Sequence, residues 1–195
     1  MAYIIAGLGN PGEEYEGTRH NVGRSMLFSL TDEEFSFDKK SNSLVSEVKV
    51  GKEKVKLVAP ETFMNKSGSA VAYFVKSPKA AEKLIVIYDD FNLPLGKLRI
   101  SFNRSSGGHN GVESIIKHLK TEAFLRIRVG AAPENKDGNA KVPHGEDKIE
   151  KFILGKFKPE ELKELKKIEK RIAEAVEILV KEGRDKAMSL VNAGW

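Results

Sequence analysis

The feature that most constrains this chain is the alternation of two hydrophobic periods. Short apolar runs rich in β-branched residues recur at 3–8, 45–50, 55–59, 84–88, 98–102 and 125–129, and these read as strands. Between them, Val22, Met26, Leu27 and Leu30, then Val71, Phe74 and Val75, then Val112, Ile115, Ile116 and Leu119 fall at helical spacing. Gly51, flanked by alternating residues, marks a hairpin between the second and third strands. Strands that alternate with helices bury both faces of a sheet, and a hairpin makes such a sheet mixed. The expected fold is therefore a three-layer α/β/α sandwich with a mixed, mostly parallel central sheet, formed by residues 1–195 as a single domain.

The stretch 133–146 holds proline, glycine, asparagine and charge without an apolar period, and reads as a long mobile surface loop. The remainder of the chain reads as mostly one helix. Pro159 suits the first turn, and Leu162, Leu165, Ile168, Ile172, Val176, Leu179 and Val180 make a stripe that ends near Gly183.

Composition removes several classes of function. The 195 residues include no cysteine, which excludes disulfides, thiolate metal sites and cysteine nucleophiles and fits a reducing compartment. The first ten residues carry too short an apolar run for a signal peptide, and no later run approaches the roughly 20 residues of a membrane span. A cytoplasmic protein without a membrane partner is expected. A net charge of +5, from 33 basic and 28 acidic residues, is compatible with a polyanionic partner without requiring one. The absence of glutamine beside abundant Lys and Glu is a bias of heat-adapted proteins.

The first strand runs into Gly7-Leu8-Gly9-Asn10-Pro11-Gly12, which matches the G-x-G-x-x-G dinucleotide pattern. That pattern binds pyrophosphate only when the glycines open a helix. Here Asn-Pro-Gly signals a turn, and Glu13, Glu14 and Glu16 would repel phosphate. A zinc hydrolase is disfavoured because no histidines stand at i, i+4 and no H-E-x-x-H string exists. A serine hydrolase would want G-x-S-x-G, which Lys66-Ser67-Gly68-Ser69-Ala70 does not supply.

What remains is a set of polar residues near strand ends. Asn10, Asn65 and Asp89 each follow an apolar strand or the turn beyond it, and Asn110 begins a helix. Ligands of open α/β sheets bind beyond the carboxyl ends of the strands, so these groups can converge on one crevice. His20 is the candidate base there, because imidazole titrates near neutrality. A carboxylate on its other nitrogen would fix the tautomer and stabilise the imidazolium.

The string Gly7-Leu8-Gly9-Asn10-Pro11-Gly12-x-x-Tyr15-x-x-Thr18-Arg19-His20-Asn21-Val22-Gly23 resembles the signature of the bacterial-type peptidyl-tRNA hydrolases. Four further blocks occur in family order. They are Pro60 to Gly68 with Met64 and Asn65, Tyr88 to Gly96 with Asp89, Ser106 to Gly111 with His109 and Asn110, and Arg126 to Gly130. The resemblance implies a monomer that hydrolyses, without metal or cofactor, the ester between a peptide and the 3′ ribose of tRNA. It implies His20 as base, Asp89 as its orienting carboxylate, and Asn10 and Asn65 as groups that position substrate and water. Asp90 is a neighbouring rival for the carboxylate role. Tyr15, Met64, His109 and Asn110 are implied in substrate binding, with Met64 at the peptide; Asn110 is equally read as the N-cap of its helix.

The family clamps the tRNA 5′ phosphate with two basic groups. Arg128 matches one, whereas Ser101 stands in the register of the other, leaving Arg99 or Arg104 as substitutes. Lys97, Arg99, Arg104, Lys117, Arg126 and Arg128 all surround the Gly-His-Asn block, and alternation puts Arg126 and Arg128 on one strand face. Asn92 also departs from the family, which has an aspartate there. The competing functions are a non-catalytic RNA-binding relative and an aminoacyl-tRNA deacylase.

Overall fold

The computed structural model describes residues 2–194. Seven strands make one sheet: β1 (Tyr3–Gly7), β2 (Ser36–Asp38), β3 (Ser43–Val50), β4 (Glu53–Pro60), β5 (Leu84–Pro94), β6 (Leu98–Phe102) and β7 (Leu125–Ala132). Their spatial order is β2-β3-β4-β1-β5-β7-β6. The central strands β4, β1, β5 and β7 are parallel, and antiparallel pairs β2/β3, β3/β4 and β6/β7 complete the two sides. The mixed sheet expected from the Gly51 hairpin is the sheet observed.

The helices are α1 (Val22–Phe28), α2 (Ser67–Phe74), α3 (Pro78–Ala81), α4 (Asn110–Leu119), α5 (Glu146–Ile153), α6 (Pro159–Lys181) and α7 (Arg184–Asn192). Alternation along β5 explains how they divide between the faces. Ile85 and Ile87 pack with Val22 and Met26 of α1, with Leu165, Ile168 and Ile172 of α6, and with Ala187 and Val191 of α7. Leu84, Val86 and Tyr88 point the other way, into Val71 of α2, Ala81 of α3, and Val112 and Ile115 of α4. A strand covered on both faces reads as a continuous apolar run, which is why 84–88 shows no polar alternation. Each fully buried aliphatic side chain contributes about 1.5–3 kcal/mol, so the α6 stripe alone is enough to seat that helix.

Two glycines set how closely helices approach. A Cβ on Gly23 would stand 2.2 Å from the Ile87 carbonyl oxygen, and one on Gly68 would stand 2.1 Å from the Ser114 carbonyl oxygen. The first contact presses α1 onto β5 beside the end of the strand that carries Asp89; the second packs α2 against α4.

Four elements differ from the sequence expectation, the four-residue helix α3 among them. The edge strand β2 has only three residues, none of them buried, and so carries no hydrophobic period. Helix α5 is eight residues long with no buried residue, and it begins at the polar end of the 133–146 stretch. Helix α7 comes after Gly183, so the C-terminal region is two principal helices rather than one. Within 133–146, read as a long mobile surface loop, the backbone of Glu134 bridges Ala140.

Candidate active site

The carboxyl ends of β1, β4 and β5 open onto one cleft of about 910 Å³, lined by Asn10, Tyr15, His20, Met64, Asn65, Asp89, His109 and Asn110 among others. Every residue expected in catalysis or at the ester therefore lines a single site. Arg128, Arg99 and Arg104 do not line it.

His20 lies on a one-turn 3-10 helix, Arg19–Asn21, whose flanking side chains fix it from both sides. Asn21 makes reciprocal bonds with the backbone of Asn10: the Asn10 N–H donates to Asn21 Oδ1 at 2.8 Å, and Asn21 Nδ2 donates to the Asn10 carbonyl at 2.8 Å. On the other side, Arg19 donates to both oxygens of Glu161 on α6, at 3.0 and 2.8 Å, and to the Ala131 carbonyl at 3.1 Å. Its guanidinium lies over the rings of Phe152 and Phe157. His20 is thus mounted on a turn with little freedom. Sequence reading did not single out Asn21, Arg19 or Glu161; the placement of Asn21 and Arg19 on either side of the candidate base was the available signal.

The carboxylate partner is Asp89, not Asp90. His20 Nδ1 meets Asp89 Oδ1 at 2.9 Å, and His109 Nε2 meets the same oxygen at 3.0 Å. Asp89 is 2% exposed, and its second oxygen is buried without a protein partner. Burial pushes Asp89 upward, but the attraction of His20 and the hydrogen bonds from His20 and His109 outweigh it and hold the carboxyl far below the usual carboxylate range. For His20, burial acts to lower the affinity for a proton, while the charge of Asp89 and its hydrogen bond together raise it by more, so the net shift is upward from 6.5. With the Nδ1 proton donated to Asp89, His20 Nε2 is the nitrogen left to accept one. Asp90 instead pairs with Arg128, through Nε at 2.7 Å and a terminal nitrogen at 2.6 Å.

Asn10 Oδ1 accepts the Met64 N–H at 2.7 Å, which leaves its Nδ2 as a donor for the cleft. Met64 is buried and Asn65 exposed, so the apolar wall and the second amide occupy successive positions of one turn. Tyr15 packs edge-on to Phe63, with ring centroids 6.4 Å apart. Helix α5 contributes Glu146, Ile149, Glu150 and Ile153 to the cleft, a wall the sequence reading missed although Ile149 and Ile153 stand at i, i+4.

Two expectations are corrected. The N-cap of α4 is His109 rather than Asn110: His109 Nδ1 accepts from the Gly111 and Val112 N–H groups at 3.2 and 3.3 Å, and Asn110 is the exposed first residue of the helix. Arg126 does share a face with Arg128, but it is not a cation for phosphate. It is fully buried, donates to the carbonyls of Glu122, Phe124 and Arg104, and lies over the Phe124 ring, so its donors are spent within the fold. Across the β6/β7 ladder Ser101 faces Arg126, and Arg99 faces Arg128.

His20, Asp89 and His109 have the composition of a metal site, and their candidate ligand atoms lie within 4.8 Å of one another. The helix cap argues against that use. A neutral imidazole has one acceptor nitrogen, and in His109 it is Nδ1, so Nε2 carries the proton and has no lone pair for a metal.

An imidazole oriented by a buried carboxylate, with its outer nitrogen left to take a proton and amides around it, defines a hydrolase site on an α/β sheet. Comparison with known proteins narrows the class. The family model described as peptidyl-tRNA hydrolase matches residues 4–194, and the chain belongs to that family. The peptidyl-tRNA hydrolase of Fervidobacterium nodosum is 43% identical over 190 residues, covering 97% of this chain and 96% of that protein. That of Caldanaerobacter subterraneus subsp. tengcongensis is 45% identical over 197 residues, covering 97% and 99%. The crystal structure of peptidyl-tRNA hydrolase from Acinetobacter baumannii superposes with a TM-score of 0.85 at 29% identity, over 98% of this chain and 95% of that one. Among the described residues, no helix is long and apolar enough to cross a membrane.

Proposed function

We propose that this chain hydrolyses the ester joining a peptide, or an N-blocked aminoacyl group, to the 3′-terminal ribose of tRNA, and that it does so in the cytoplasm as a single-domain monomer without metal or cofactor. The observation that carries the reading is the His20–Asp89 pair in a cleft bordered by amides. His20 Nε2 takes a proton from water, and the oxygen forms a bond to the ester carbonyl carbon. Asp89 stabilises the imidazolium that results. Collapse of the tetrahedral intermediate breaks the bond to the ribose oxygen, which recovers the proton from His20 and leaves as tRNA. Asn10 Nδ2 donates to the substrate without bringing charge, and Asn65 and Asn110 stand at the cleft to hold substrate and water.

The acceptor stem would run toward Arg128, where Arg99 is the cross-strand neighbour and the better substitute for the missing second cation. Arg104 is exposed on the loop beyond β6 and is the alternative. The cleft wall of Met64, Phe63, Ile149 and Ile153 suits peptide side chains, which favours a peptidyl over a free aminoacyl substrate. The test is turnover of N-acetyl-aminoacyl-tRNA and of free aminoacyl-tRNA by the wild type and His20→Ala. The variant is expected to lose about 10²- to 10⁴-fold in rate while still binding tRNA. Wild-type turnover by the variant refutes the base assignment, and preference for the unblocked substrate refutes the peptidyl reading.

A further inference from the structure

The hydrolytic steps give His109 no chemical role, although it is buried between the helix it caps and the carboxylate that orients the base. A helix N-cap must present an acceptor to the N2 and N3 N–H groups, and His109 Nδ1 does so for Gly111 and Val112. A proton on Nδ1 would meet those donors, and the positive end of the α4 dipole, head on. The cap thereby gives Nδ1 the acceptor role and places the ring proton on Nε2, where Asp89 Oδ1 accepts it at 3.0 Å. His20 donates to that same oxygen.

We propose that His109 is a positioning residue that acts through Asp89: the N-terminus of α4 locks its tautomer, and its fixed Nε2–H competes with His20 for one carboxylate oxygen. The shared oxygen holds Asp89 in a single orientation, which aligns the His20 ring. It also divides the carboxylate's hydrogen-bonding capacity, so that the His20 imidazolium is stabilised less than it would be by an undivided carboxylate.

Few other groups face this ring. Tyr88 packs edge-on with centroids 4.8 Å apart, and burial pushes its hydroxyl up to about 12, so it stays a neutral phenol. Asp90 is paired with Arg128, and Arg19 with Glu161. Lys66, Glu146 and Glu150 border the same cleft.

This inference rests on His20 as the base, and two substitutions separate the cap from the coupling. His109→Asn keeps an N-cap acceptor but is too short to reach Asp89 with its donor. His109→Gln offers an amide donor at about the reach of Nε2 but caps poorly. For each protein, the acid limb of kcat/KM, the ¹⁵N resonances of residues 20 and 109, and Tm are measured.

Wild-type His109 is expected to show a protonated Nε2 and an unprotonated Nδ1. His109→Asn should raise the His20 midpoint and the acid limb by about half a pH unit or more, the differential effect of one charge-assisted hydrogen bond, with little change in Tm. His109→Gln should lower Tm and leave the limb near its wild-type position. A protonated Nδ1 in the wild type, or a His20 midpoint that His109→Asn leaves unmoved, overturns the proposal. If KM alone rises, His109 binds substrate and the proposal is also overturned. A His20 midpoint that moves without the kinetic limb supports the coupling and refutes His20 as the base.

Discussion

Replacing Asp89 by Asn isolates the charge of the carboxylate from its shape. The amide oxygen can still accept the two imidazole N–H groups that converge on Oδ1, and the NH₂ falls where Oδ2 is buried without a protein partner. Geometry is thus largely retained, at a cost of about 1–3 kcal/mol in stability for the unsatisfied NH₂. What disappears is a full negative charge beside the imidazolium that forms as His20 takes a proton. The side chains are 8% and 1% exposed, so salt screens the pair little. At a charge separation of about 4 Å and an effective dielectric near 20, the interaction is about 4 kcal/mol, or about 10³ in rate.

The pH profile carries the second half of this prediction. His20 must be neutral to act as a base, and its raised proton affinity puts the wild-type acid limb above pH 6.5. Without the Asp89 charge, burial, the largest influence on His20, is opposed only by the hydrogen bond to the amide oxygen, and burial disfavours the imidazolium. In Asp89→Asn the limb should therefore move to lower pH while the plateau falls about 10³-fold. The assay is kcat/KM on N-acetyl-aminoacyl-tRNA from about pH 5 to 9, a range that brackets the imidazole transition, with a thermal melt to show that the fold persists. A plateau within about tenfold of wild type, or a limb that stays in place, would refute the reasoning.

Arg128→Ala and Arg99→Ala should each weaken tRNA substrates far more than a short ester, and each should reduce the slope of log affinity against log salt by somewhat less than one. Because Arg128 also neutralises Asp90, its variant should in addition lose stability, whereas the exposed Arg99 should not; equal kinetic losses on long and short substrates would remove both from the phosphate site. Turnover should be unchanged by EDTA, since the helix cap commits His109 Nε2 to a proton; activity lost to chelator and restored by zinc would contradict the tautomer. Glu161→Ala strands the Arg19 guanidinium in a buried site and should cost roughly 3–5 kcal/mol in urea unfolding, and a loss below about 1 kcal/mol would mean that the turn carrying His20 is held by other contacts.

Strand and helix periods settled the sandwich and its mixed sheet, because burial on two faces writes itself into apolar spacing over about five or more residues. The residues that line the cleft were equally legible: Asn10, His20, Asn65 and Asn110 follow strands or open a helix, and chain order alone brings such positions to one side of an α/β sheet; Asp89, expected at a strand end, lies within β5, which runs on to Pro94. Short elements at the rim left no period to read, so α5 and β2 were decided by packing. Fine assignments waited on the tertiary structure for a different reason, namely that neighbours in sequence can point to opposite partners. Asp89 and Asp90 are adjacent carboxylates, yet one faces two imidazoles and the other a guanidinium. Arg126 and Arg128 share a face, but one is buried against three backbone carbonyls and the other pairs with a carboxylate. Asn110 is the cap that residue type suggests, yet the position fell to His109, whose far nitrogen also reaches Asp89, a contact across 20 residues that no local pattern encodes.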